Sequence, residues 1–161
     1  ILGPQLSAIL ATKDIDKFKK VAVIGAAMAV FAAVTLSLIL VILDTWVLSL
    51  FGEPFIDGKP VLHVLLLSQI AVACFGATGA VVVLFGGYRI TIISVITALL
   101  CNVLLNLMLI PIYGPVGAAL ATLIGQILGC GIITLWCLRH SGINSTIFGI
   151  AVLFRSRTPA N

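Results

Sequence analysis

An all-α, polytopic membrane protein with four transmembrane helices is the fold the sequence predicts, and three observations carry that prediction. The 161 residues are 61% hydrophobic and only 9% charged, against about 25% charged in soluble domains. With a mean hydropathy of +1.30, the chain lacks the polar coat a water-borne core needs, so a bilayer is its natural solvent. Second, charge-free runs of the length a membrane span requires, roughly 20 residues, alternate with short polar segments. Third, Ile90–Leu138 contains no charged residue and is interrupted near its middle by Pro111-Ile112-Tyr113-Gly114-Pro115. Pro111 cannot supply a helical N–H, Pro115 suits the first turn of a new helix, and Gly114 permits the reversal between them. The run therefore reads as two spans joined by a tight turn.

Taken in order, Ile1–Leu10 is apolar around Pro4 and does not begin with Met. It is expected to be the end of a preceding transmembrane helix, in a chain that starts inside a larger protein. No basic stretch precedes it and no small-residue cleavage pattern follows it, which argues against a secretory signal. Residues 11–20 (ATKDIDKFKK) hold four lysines and two aspartates, a cytoplasmic basic loop with a helical turn leading into the next span. Residues 21–140 form the four-helix part of a transporter lobe on this reading. The first span is Val21–Leu43, where Gly25, Ala29 and Ala33 repeat every fourth residue as a seam for close helix approach. Asp44 closes it, and Trp46 and Phe51 take the interfacial positions aromatic side chains favour. EPFIDGK (Glu53–Lys59) is a polar loop with a turn at Asp57-Gly58.

The second span is Val61–Gly87. His63, near its start, is its only ionisable group apart from Cys74, and it is either an interfacial side chain or a protonation site. Gly76 and Ala80 again space small residues at four. The third span, Ile90–Ile110, carries Thr97, Asn102 and Asn106. The two asparagines share a helix face and either glue helices together or line a translocation path. The fourth span, Val116–Leu138, has a stripe of small residues, Gly117, Ala118, Ala121, Thr122, Gly125 and Gly129, with Gln126 beside it; Gln126 and His63 join Asn102 and Asn106 as candidates for a substrate path. Residues 141–161 are a cytoplasmic tail. Its apolar part, Ile143–Phe154, is too short to span and reads as a short amphipathic helix on the surface.

Several function classes are excluded or weakened. The net charge of +4 comes from basic residues in short loops, with no basic face or aromatic platform for nucleic acid. Cys74, Cys101, Cys130 and Cys137 all sit in apolar runs without C-x-x-C spacing, so no metal, redox or cofactor site is expected. No nucleophile or acid/base pair stands at depth in a span, so the chain is not expected to be an enzyme. If four helices alternate between Lys20 and Arg139, eight of the nine basic residues share one side: Lys13, Lys17, Lys19, Lys20, Arg89, Arg139, Arg155 and Arg157. Only Lys59 is on the other. The asymmetry predicts that both ends of the segment are cytoplasmic and that Asp44–Pro60 and the Pro111–Pro115 turn face outward.

Asn102-x-x-x-Asn106 followed by LIPIYGPVGAALAT (Leu109–Thr122) resembles the helix–loop–helix signature of polysaccharide exporters. These belong to the multidrug/oligosaccharidyl-lipid/polysaccharide exporter superfamily, which includes the O-antigen flippases. FGEPF (Phe51–Phe55) is similar to that family's loop between its ninth and tenth helices, and GPQLSAILATKDIDKFKK (Gly3–Lys20) to the cytoplasmic stretch before the ninth. The resemblance runs from about Gly3 to Ile143. It implies a carrier of twelve or fourteen helices in two lobes, with this segment supplying helices nine to twelve of the C-terminal lobe. It further implies a flippase of the cytoplasmic (inner) membrane that moves undecaprenyl-diphosphate-linked oligosaccharide outward for lipopolysaccharide and other surface-polysaccharide biosynthesis. The implied partners are membrane lipid, the lipid-linked oligosaccharide and the remainder of the transporter chain. The segment departs from the flippases in having no charge deep in any span to meet a diphosphate. A multidrug exporter of the same superfamily is the nearest alternative. An intramembrane glycan polymerase or acyltransferase, with His63 and Asp44 as its best candidates, is the alternative from another class.

Overall fold

The computed structural model describes residues 15–140 apart from Ala77, with the side chains of 15–20 and of Leu84 left out. The expected end of a preceding helix, at 1–10, and the tail with its short helix, at 141–161, lie outside the described residues. The elements run α1 (Ile15–Ile42), α2 (Asp44–Ser49), a 3-10 turn (Glu53–Gly58), α3 (Lys59–Cys74), α4 (Thr78–Leu84), α5 (Tyr88–Tyr113) and α6 (Pro115–His140). The described residues contain no strand. Four stretches are long and apolar enough to cross a membrane: Val21–Ile42, Glu53–Cys74, Tyr88–Tyr113 and Pro115–His140.

The burial pattern is that of a protein in hydrocarbon. Phe31 is 75% exposed, Leu107 70% and Met108 68%, and such side chains leave water only if lipid or further protein covers them. The buried set consists of small residues instead. Ala22, Val81, Val82 and Cys137 form one cluster, with Val21, Phe85, Ile133 and Trp136 packed around it. It joins the start of α1, the end of α6 and α4 at one end of the bundle. At the opposite end Asp44, after α1, meets the start of α3. Consecutive spans therefore run antiparallel. α5 and α6 share the most extensive contact, and α3 packs against both α6 and α1.

Three expectations about these elements need correction. The second crossing is not one helix over Val61–Gly87. α3 ends at Cys74, and Gly76 adopts a φ of +61° with its N–H bonded to the Ala73 carbonyl at 3.0 Å, the left-handed cap that stops a helix. α4 then ends in a full Schellman cap, Gly86 N–H to Val83 O at 3.1 Å and Gly87 N–H to Val82 O at 2.8 Å. The third span does not stop at Pro111. α5 runs through it to Tyr113, because a proline in the last turn removes a single bond and the reversal is supplied by Gly114, with a φ of +57° and its N–H on the Ile110 carbonyl at 2.8 Å. On α1, Ala29 is exposed, and the inward positions are Ala22, Val23, Gly25, Ala26 and Ser37. The contact face is thus shifted from the Gly25-Ala29-Ala33 row. Residues 15–20 of the basic stretch are helical and continuous with α1.

The α5–α6 hairpin depends on glycine. A Cβ on Gly117 would collide with the carbonyl group of Leu109, one on Gly125 would lie 3.1 Å from the Ala98 carbonyl oxygen, and one on Gly129 would lie 3.1 Å from the Ala98 Cβ. Gly131, on the same helix, has open space. We expect Gly117→Ala to destabilise the hairpin by about 1–3 kcal/mol and Gly125→Leu to disrupt it, while Gly131→Ala leaves it unchanged. Unfolding in mixed micelles by titrated denaturing detergent measures this order. Equal effects at Gly117 and Gly131 would remove the close-packing explanation.

Candidate functional site

The polar side chains of the hairpin form a ladder between α5 and α6. Asn106 Nδ2 donates to Asn102 Oδ1 at 2.9 Å. Asn102 Nδ2 points to Thr122 Oγ1 at 3.4 Å, a long contact, and the Thr122 hydroxyl donates to the Ala118 carbonyl at 3.0 Å. The geometry follows from sequence spacing. Asn102 and Asn106 are one turn apart on α5, and Ala118 and Thr122 one turn apart on α6. The two pairs meet because the glycine row lets the axes approach. A Cβ on Gly125 would stand 3.3 Å from Asn102 Cβ, which places the asparagine directly on that row.

Two acceptors in this region have no partner among the described residues: Asn106 Oδ1 and Gln126 Oε1, both buried. An unmet buried acceptor costs about 1–3 kcal/mol, so these two oxygens hold unused acceptor capacity that an outside donor reaches only when the packing around them opens. Its oxygens are uncharged amide, hydroxyl and carbonyl groups, suited to hydroxyl donors and poorly suited to a transition metal. The described residues contain no cluster of three His, Cys, Asp or Glu side chains.

His63 is not part of that ladder. It stands on the first turns of α3, at the end of the bundle that also carries the α5–α6 turn, with Nε2 3.2 Å from Asp44 Oδ2. Because an ionised carboxylate only accepts, the imidazole donates through Nε2. Lys59 Nζ lies 3.0 Å from Asp44 Oδ1 and donates to Thr45 Oγ1 at 2.6 Å, and the Thr45 hydroxyl donates to Asp44 at 2.9 Å. The carboxylate thus ties the end of α1 and the start of α2 to the start of α3. Hydrogen bonds from Lys59 and then Thr45 hold its pKa down, to about 2. The four side chains form one clasp, with His63 45% exposed and Asp44 14%.

Some residues of the site give little signal in the sequence. Ser94 is buried and donates to the Gly129 carbonyl across the helix pair at 2.7 Å. Ser94, Ala98, Asn102 and Asn106 recur every fourth residue, so their shared face was available as a signal. Thr97 returns its hydroxyl to Ile93 O at 2.7 Å on its own helix and adds nothing to the ladder. The Asp44–Lys59 and Asp44–His63 pairings join residues far apart in the chain, and no periodicity announces them.

A depressed carboxylate pKa contributes stability that is fully present above the unfolded value, about 3.9, and is lost as pH falls toward 2. Trp46, two residues from Asp44, reports on the clasp in a Trp136→Phe background. Its emission should stay constant from pH 7 to about 4 and change below about 3. Asp44→Asn should give the acid-state emission already at pH 7. An unchanged spectrum in that variant would show that the clasp does not hold the helix ends.

Comparisons of the chain with protein-family models, with curated proteins and with solved structures each return no match.

Proposed function

We propose that the chain is part of a multi-pass transporter of the cytoplasmic membrane that flips undecaprenyl-diphosphate-linked oligosaccharide outward for surface-polysaccharide synthesis. The observation that carries this reading is the ladder with its two unmet acceptors. Helix packing alone is served by the Ser94–Gly129 bond and the glycine row. Asn106 and Gln126 exceed that need, and sugar hydroxyls are the donors an uncharged oxygen cluster accepts best. The small-residue contact supports the same reading, because lobes that rock against each other need helices free of interlocking bulk. The pyrophosphate of such a cargo would be met by cations in the rest of the transporter, since the described charges stand only at the ends of the bundle. A multidrug exporter of the same superfamily would use the same helices with a different cargo.

The Asp44–His63 contact favours a second reading, an intramembrane polymerase or acyltransferase working at the outer surface, in which His63 is the base. That chemistry needs a nucleophile or bound acceptor beside the imidazole; His63 bonds to Asp44, and the Thr45 hydroxyl and Lys59 amine are engaged with the same carboxylate.

The readings separate in the full-length protein, reconstituted in vesicles with a fluorescent lipid-linked oligosaccharide whose exposure is read by an added glycosidase. Replacing both Asn102 and Asn106 with Leu should lower the translocation rate at least about tenfold, the loss expected when a polar site's hydrogen bonds to its ligand are removed, while His63→Ala leaves it near wild type. Normal flipping by the double variant reduces the ladder to helix glue. Loss of glycan polymer with intact flipping in His63→Ala selects the enzyme. The orientation is checked by a cysteine at Gly58, which an impermeant thiol reagent should label from outside; labelling only after permeabilisation reverses the topology.

A further inference from the structure

We propose that the end of α6 opposite the clasp binds the phosphate headgroup of an anionic phospholipid, in a cavity between α6 and the start of α5. The cavity has a volume of about 330 Å³ and is lined by Ile90, Ile132, Leu135, Trp136, Arg139 and His140. Five of these six lie within residues 132–140 of α6, and their order along the helix is that of a lipid. Ile132 and Leu135 come first and are aliphatic. Trp136 follows, an indole of the kind that settles at the membrane interface. Arg139 and His140 come last, at headgroup level. Ile132 to His140 rises about 12 Å along the axis, which is the reach from the acyl chains to the phosphate in one leaflet, whose hydrocarbon half is about 15 Å thick.

The cavity exists because of local packing. Gly87 sits under Trp136, so closely that a Cβ there would lie 2.9 Å from the indole. The indole is held between that turn and the His140 imidazole, stacked with centroids 4.6 Å apart and planes 21° apart. Trp136 is thereby fixed as a wall, and Arg139 extends beside it. Among the described residues Arg139 has no carboxylate partner, because the described ion pairs are both made by Asp44 at the other end. Arg89 is likewise unpaired, though it does not line the cavity. A guanidinium above an apolar groove complements a phosphodiester with acyl chains, since its planar donors match phosphate oxygens. A zwitterionic lipid offers the same phosphate but adds a cation beside Arg139.

The test uses the chain with Trp46→Phe, leaving Trp136 as its single tryptophan, in phosphatidylcholine vesicles containing brominated phosphatidylglycerol or brominated phosphatidylcholine at equal mole fraction. Bromine quenches only an adjacent indole. Quenching by the anionic lipid should exceed that by the zwitterionic lipid about fivefold, the factor for one favourable basic contact at the membrane surface. Arg139→Gln with His140→Gln should bring the ratio to about one, with helical circular dichroism and quenching by the zwitterionic lipid unchanged. Arg89→Gln, which removes a cation at the same level but outside the cavity, should keep the preference. Equal quenching by the two lipids in the parent chain overturns the site. An equal loss in Arg89→Gln replaces it with diffuse charge attraction. Displacement by inorganic phosphate would make the occupant a free anion instead of a lipid.

Discussion

The near absence of side chains along one face of α6 governs the rest of the bundle. Between helices in lipid there is no hydrophobic driving force, since the acyl chains are as apolar as leucine, and association rests on close contact and a few hydrogen bonds. Gly117, Ala121, Gly125 and Gly129 recur every fourth residue and are all buried. With only hydrogen or methyl on that ridge, the backbones come close enough for the Ser94 hydroxyl to reach the carbonyl of Gly129. That bond fixes the register, and the register brings Asn102 opposite Thr122 and not a turn away. The polar ladder is a consequence of the glycines before it is a property of the amides.

The two ends of the bundle solve opposite electrostatic problems. At the clasp, one carboxylate takes Lys59, His63 and the Thr45 hydroxyl together, so its charge is compensated locally and its protonation is postponed to strong acid. At the other end Arg89 and Arg139 stand without an acid among the described residues. Their counter-charge has to come from the solvent, the lipid or a segment outside the described part. The first arrangement joins helices. The second leaves positive charge at the end of the helices without a compensating acid among the described residues.

The helices themselves were legible because hydrocarbon imposes a length and forbids charge, and both constraints are visible residue by residue. The α5–α6 turn was legible to within a few residues: Gly114 reverses the chain, but Pro111 does not end the helix, since losing one bond in a last turn is cheaper than unwinding it in lipid. The ladder was half legible. Asn102-x-x-x-Asn106 shows a shared face, but which face meets α6 follows from Gly125 and Ser94. The Asp44 clasp was illegible as a unit. His63 and Asp44 each stood out, but contact between them depends on how α1 and α3 cross, which no local pattern encodes. The seam on α1 was misplaced for a related reason, because alanines recur so often there that several equally spaced rows exist and packing against α3 selects one.

The break at Gly76 has a sharper meaning than a lapse in helix propensity. Sixteen residues of α3 rise about 24 Å, less than a hydrocarbon core about 30 Å thick, so a full crossing draws on the 3-10 turn before α3 or on α4 after it. Non-helical backbone at membrane depth survives only where protein or a water-lined cavity meets it. Here α6 supplies the cover: Thr78 is 4% exposed, its carbonyl accepts a long contact from the Cys137 thiol at 3.8 Å, and Val81 and Val82 complete the packing with Cys137. The break lies between α3 and α4, at the left-handed Gly76. With it, the second half of the crossing turns onto α6 and closes the bundle at the basic end. The left-handed glycine therefore does for the second span what Gly114 does for the hairpin: both hold a positive φ where one helix ends and the next begins.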